Sequence, residues 1–164
     1  MNAVAVETKA GRRLIGADIG PQKEFVTVEI AGQRFGIPVL TVQDVLGPCR
    51  ITRIPLSPPE VAGALNLRGR IVTAIDMRTR LGLPRRDGSD SGMNVVIDRG
   101  SELYSLIVDT VGEVLSLSMS DYERNPATLD PKWASVSDGI FRLNDGLLVV
   151  LDVDRLLSLG AAAS

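Results

Sequence analysis

The sequence has no histidine among its 164 residues and only one cysteine, Cys49. The first absence removes His-based triads, imidazole metal ligands and the commonest general base near neutral pH. The second rules out an intramolecular disulfide and a thiolate zinc site. A lone thiol behind Pro48, with no imidazole to activate it, reads as inert and suits a reducing compartment. Aromatic residues are scarce at 4%, so a core must be built from Val, Leu and Ile. Positive charge is not in excess: 18 Lys and Arg face 20 Asp and Glu. The pairs Arg12-Arg13 and Arg85-Arg86 fall in loop-like stretches, which speaks against nucleic acid as a partner. No apolar run reaches the roughly 18 residues of a spanning helix, and the first residues lack a basic-then-apolar leader pattern. The expectation is a cytoplasmic chain with no direct membrane insertion. Phosphate-cradling motifs are missing too, and in Gly88-Ser89-Asp90-Ser91-Gly92 an Asp holds the centre where a nucleophile elbow needs Ser. Neither a metal nor a cofactor is expected.

What the chain does contain is an internal repeat. Residues 63–76, Gly-Ala-Leu-Asn-Leu-Arg-Gly-Arg-Ile-Val-Thr-Ala-Ile-Asp, align without a gap on 139–152, at a constant offset of 139 − 63 = 76. Upstream, Val42-Gln43-Asp44-Val45-Leu46 aligns with Val111-Gly112-Glu113-Val114-Leu115, Phe35 with Tyr104 and Val26 with Val95, at an offset of 111 − 42 = 69. The second copy therefore carries 76 − 69 = 7 extra residues in its middle. A unit of roughly 70 residues is marginal alone, so the copies should form one cooperative body.

Alternation and turn residues place short strands at 25–30, 34–39, 50–55, 70–75, 94–98, 102–108, 114–119, 139–144 and 147–151. Val42, Val45 and Leu46 fit either a helix or a continued strand. Pro59, Glu60, Val61 and Leu65 suggest a short helix, and Asp76 can cap another over 77–83. A C-terminal helix is expected around Asp154 to Leu157. Residues 1–22 read as a mobile arm and the polar stretch 85–92 as the boundary between copies. The expected fold is all-β with short helices, as two small β-barrels over approximately 23–84 and 93–160, with room for the halves to exchange terminal segments.

The carboxylates Asp44, Asp76, Asp109, Glu113 and Asp152 invite a two-carboxylate hydrolase or small-ligand barrel built on Asp76 and Asp152. The copy-equivalent placement of Asp76 with Asp152, and of Glu113 opposite Asp44, near strand ends and helix starts is explained more simply by capping or surface contacts. Arg68 is not required by the strand pattern, because the second copy has Asn144 there. It is either a solvated turn residue or a fork for a partner carboxylate. Val42 and Val114 suit a core; beside an acidic neighbour at a seam they would also suit an amphipathic helix.

These stretches resemble the CheW coupling proteins of bacterial chemotaxis, over about Glu24 to Leu159. The most specific segments are Phe35-Gly36-Ile37-Pro38-Val39, Ile51-Thr52-Arg53-Ile54-Pro55 and above all Asn66-Leu67-Arg68-Gly69. Val108 to Val114 and Asp145-Gly146 through Asp152 agree as well. The resemblance implies two tandem Src-homology-3-like five-stranded barrels and no catalytic activity. It implies binding to the cytoplasmic helical tip of chemoreceptors and to the regulatory domain of the histidine kinase CheA, with further CheW copies in array rings at the inner face of the membrane. The implied receptor groove involves Val39, Val42, Asp44, Asn66, Leu67, Arg68, Val95 and Val114; kinase-contacting residues are left unassigned. A twitching or other non-flagellar chemosensory pathway is the nearest relative reading. Asp44 stands where the family usually has Glu, Thr73 replaces a frequent Pro, and Ser105 a frequent Gly.

Overall fold

The computed structural model describes residues 21–84 and 92–158. The expected arm at 1–22, apart from its last two residues, and nearly all of the boundary stretch 85–92 lie outside them. Ten strands run in chain order: β1 Gln22–Ile30, β2 Gln33–Pro38, β3 Val42–Leu46, β4 Val61–Leu67, β5 Arg70–Asp76, β6 Met93–Arg99, β7 Glu102–Val108, β8 Thr110–Ser118, β9 Ser137–Leu143 and β10 Gly146–Leu151. Among the described residues three one-turn helices accompany them: α1 Met77–Arg80, α2 Pro131–Ala134 and α3 Val153–Leu156.

The strands form two five-stranded sheets, β8-β1-β2-β10-β9 and β3-β6-β7-β5-β4. Matching strands by the repeat, β1 with β6, β2 with β7, and β3, β4, β5 with β8, β9, β10, gives both sheets one strand order. Each sheet takes its first hairpin from one copy and its other three strands from the opposite copy. The compact units follow: one holds described residues 21–39 and 111–152, the other 40–84, 92–110 and 153–158. The barrels are therefore not the consecutive stretches 23–84 and 93–160. The polar segment 85–92 separates sequence copies, whereas the units part at 39/40, 110/111 and 152/153.

Register repeats as faithfully as order. Val28 pairs with Phe35 in one hairpin and Ile97 with Tyr104 in the other. A parallel pairing in each sheet sets Phe35 beside Val149 and Tyr104 beside Thr73. Even an irregularity is copied: the ladder shifts between Val61 and Gly63 against β5, and between Ser137 and Gly139 against β10. Next to each shift an extra segment bridges the edge strand, Thr52 to Ala64 and Glu123 to Ile140. That approach requires glycine. A Cβ on Gly63, whose φ is +150°, would strike the Thr52 carbonyl, and one on Gly139 would strike the Tyr122 ring and the Glu123 carbonyl.

Two local expectations are corrected. Residues 50–55 form only the Thr52 bridge, and 59–65 is not helical, because β4 begins at Val61. The shift at Gly63 breaks the alternation, which left Val61 and Leu65 at a helix-like spacing of four. The open choice over 42–46 resolves as a strand after a 3-10 turn, Val39–Thr41.

Each unit buries its own aliphatic cluster. Phe25, Leu115, Leu117, Phe141, Leu148 and Val150 pack in the first, with the Phe25 and Phe141 ring centroids 5.4 Å apart. Leu65, Val72, Ala74, Val96 and Leu103 pack in the second, with Leu46, Cys49 and Ile51 at the margin. The seven extra residues of the second copy make the connection containing α2. There Trp133 stands edge-on against Phe35 at 5.3 Å.

Candidate functional site

The β4–β5 hairpin gathers the most informative side chains. Its two loop residues both lie in the left-handed region, Arg68 at φ 50° and Gly69 at φ 85°. That pair of angles matches the twist of a tight hairpin. Glycine meets it freely, whereas an arginine is strained by about 1 kcal/mol. Asn66 secures the loop, its Oδ1 accepting from the Gly69 N–H at 3.0 Å. Asn144, at the matching place in the other unit, has no left-handed φ.

The strained arginine reaches β3. Its Nη2 donates to Asp44 Oδ2 at 2.9 Å, while Asp44 Oδ1 accepts from the Val45 N–H at 2.9 Å. A shift in the β3–β6 ladder between Val42 and Asp44 sets the carboxylate at this position. The Arg68 side chain is 74% exposed and that of Asp44 23%. A pair so open to water contributes under about 1 kcal/mol to folding. An exposed fork held on strained backbone, with little return in stability, is a feature the fold itself does not require.

The other implied groove residues divide by unit. Val42 and Leu67 are half-buried and Asn66 exposed, all in the same unit as Asp44 and Arg68. Val95 is also there but is 0% exposed. It pairs with Val45 and Leu106 in mid-sheet, so its side chain is covered and not open to a partner as the resemblance implied. Val39, half-buried, and Val114, 36% exposed, belong to the other unit. Sequence reasoning missed Leu40, Val45 and Ile71, which are exposed at 91%, 40% and 69%. Their apolar character made them look like core. Only the register of Ile71 opposite Asn66 shows that it shares the outer face of the hairpin.

The carboxylates of Asp76 and Asp109 are committed elsewhere. Asp76 is the N-cap of α1, accepting from the backbone N–H groups of Arg78 and Thr79. Asp109 takes a two-pronged bond from Arg78, Nε to Oδ1 at 3.0 Å and Nη2 to Oδ2 at 2.6 Å. The hydrogen bond to Asp109 raises the Arg78 pKa against the opposing effect of burial. Thr27 Oγ1 donates to the Glu113 carbonyl at 2.7 Å. Asp152 lies in the other unit from Asp76, with its N–H bonded to the Val136 carbonyl. Among the described residues no three His, Cys, Asp or Glu side chains gather as a metal site, and no helix is long and apolar enough to cross a membrane.

A repeated five-stranded topology, acids used as caps and ion-pair partners, and an exposed hairpin fork define a binding scaffold. The match to families is direct: residues 24–160 fit the CheW-like domain model. The chain is 29% identical over 146 residues to the chemotaxis protein CheW of Klebsiella aerogenes, covering 89% of this chain and 87% of that protein. It is 26% identical to the chemotaxis protein CheW of Helicobacter pylori, at 82% and 81% coverage. The crystal structure of the scaffolding protein TtCheW from Thermoanaerobacter tengcongensis superposes with a TM-score of 0.71 at 28% identity, covering 80% of this chain and 89% of that one. The chain belongs to the CheW-like domain family. Its two sheets are Src-homology-3-like subdomains, and its role is that of a chemotaxis scaffold and not an enzyme. The hydrolase reading of Asp76 and Asp152 is withdrawn on that ground.

Proposed function

We propose that this scaffold works in the cytoplasm, coupling the helical tip of chemoreceptors to the regulatory domain of the kinase CheA. It is recruited to the inner face of the membrane by receptor arrays and joins further copies of its kind in array rings. The observation that carries the reading is the Asp44–Arg68 pair, an exposed fork on a strained turn beside half-buried Val42 and Leu67. Such a surface suits an amphipathic helix, whose apolar stripe covers the valine and leucine while a polar flank meets the fork. Roles for Val39 and Val114 rest on the family resemblance alone. Small contacts bind weakly one at a time, and become effective when several are made together in an array.

The test is co-sedimentation with receptor cytoplasmic fragments and CheA. Arg68→Ala is expected to weaken receptor association by about 1–3 kcal/mol with an unchanged unfolding midpoint. Unchanged binding to both partners would remove the proposal.

A further inference from the structure

Beyond the Asp44–Arg68 fork, the free end of β4 is shaped to take an additional strand. β4 is the edge of its sheet, and among the described residues the only segment along that edge is the bridge from Thr52 to Ala64, with N···O distances of 2.9 and 2.8 Å. In an antiparallel ladder, residues two apart turn their backbone groups to the same side. The N–H and C=O of Asn66 therefore face the edge that Ala64 uses for Thr52. Continued by two residues, the bridge would set Arg50 opposite Asn66. Instead the bridge stops at Thr52, and a cleft of about 640 Å³ opens between the two segments, lined by Cys49, Arg50, Thr52, Ala64, Leu65, Asn66 and Ile71.

Three properties of the cleft specify its occupant. The unused edge asks for an extended backbone. The 69% exposed Ile71 asks for an apolar side chain. Arg50 is the one charged group in the lining, exposed and with no ion-pair partner among the described residues, so it asks for an acidic group. We infer that this cleft docks an extended partner segment in which a large apolar residue sits next to a carboxylate. The segment adds a short strand to β4, its apolar side chain covers Ile71, and its acid pairs with Arg50.

Cys49 supplies a reporter, being the only cysteine and part of the cleft. The experiment is thiol–disulfide exchange at equilibrium on the full chain, in which the Cys49 thiolate displaces a small thiol from mixed disulfides of short peptides that contain Leu next to Glu, Gln or Lys. The Leu-Glu peptide is expected to be captured about tenfold over Leu-Lys at low salt, a ratio equal to one well-placed charge pair. Arg50→Ala should abolish that preference, and Ile71→Asp should lower capture of the Leu-Glu peptide about tenfold. Both side chains are exposed, so thermal melts of the variants should match the parent. Equal capture of the three peptides, or a charge preference that survives Arg50→Ala, overturns the inference. No receptor or kinase enters the assay, so its failure is distinct from failure of the coupling role.

Discussion

Gly63 and Gly69 lie six residues apart on one hairpin and both have positive φ, yet they are held to glycine for different reasons. At Gly69 a Cβ would meet nothing within 4 Å, so only the backbone angle resists substitution. At Gly63 the angle is compounded by collision with the Thr52 carbonyl and the Ile51 side chain. Gly69→Ala is expected to cost about 1 kcal/mol. Gly63→Ala should cost about 2–4 kcal/mol, as overpacking against backbone adds to the strain. Urea midpoints would separate the two, and equal losses would show that the Thr52 bridge yields easily. The same bridge walls the cleft beside Arg50, so Gly63→Ala should also disturb thiol capture at Cys49, while Gly69→Ala should not.

Ion pairs and hydrogen bonds between elements give two further expectations. The Arg78 fork ties α1 to Asp109, at the end of β7, with side chains 23% and 15% exposed. Arg78→Lys keeps the charge but loses the planar double bond, and should destabilise by about 1–3 kcal/mol; a loss equal to zero would mean that water already replaces the second prong. In the other unit, Tyr122 donates to Asp138 at 2.7 Å and packs near Phe141. Burial first, and then the Asp138 bond, raise its pKa above the ordinary 10.0. The folded state therefore resists losing a proton that the unfolded chain gives up, so this stability is full below about pH 10 and declines as the pH rises further. Tyr122→Phe should flatten the fall in urea midpoint above about pH 10. Some slope should remain, because the Glu102 hydrogen bond raises the Tyr104 pKa as well.

These elements also show what a sequence can disclose. The hairpins were legible, because alternation and turn residues act over a few positions, and the Asp76 cap was legible for the same reason. The segment 50–65 was not, since the ladder shift at Gly63 is a response to the neighbouring Thr52 strand, and no periodicity records it. Arg68 stood out because the repeat did not demand it. Its strained angle and its Asp44 partner, 24 residues away, needed coordinates. Ile71 was read only as part of an apolar strand run, and apolar character alone does not say which face of a sheet is covered.

At the scale of the whole molecule, the repeat tells which segments are alike but not which copy each one joins. Both sheets were expected, and the exchange of strands between copies was left open. The strand order settles it: β1 and β2 complete a sheet with β8, β9 and β10, while β6 and β7 complete the other with β3, β4 and β5. Neither half of the chain holds a full sheet, so neither should fold without the other. A protease site introduced between residues 85 and 91 would divide the chain between the copies. After cleavage the fragments are expected to stay together in a one-to-one complex on gel filtration and to part only in denaturant, because separation would part β1 from β8 and β2 from β10 in one sheet, and β3 from β6 and β5 from β7 in the other. Isolated fragments should show no cooperative unfolding transition, and mixing them should restore one. If either fragment alone melted cooperatively, the half-chain would have closed a sheet of its own, and the reciprocal exchange would not be what holds this scaffold together.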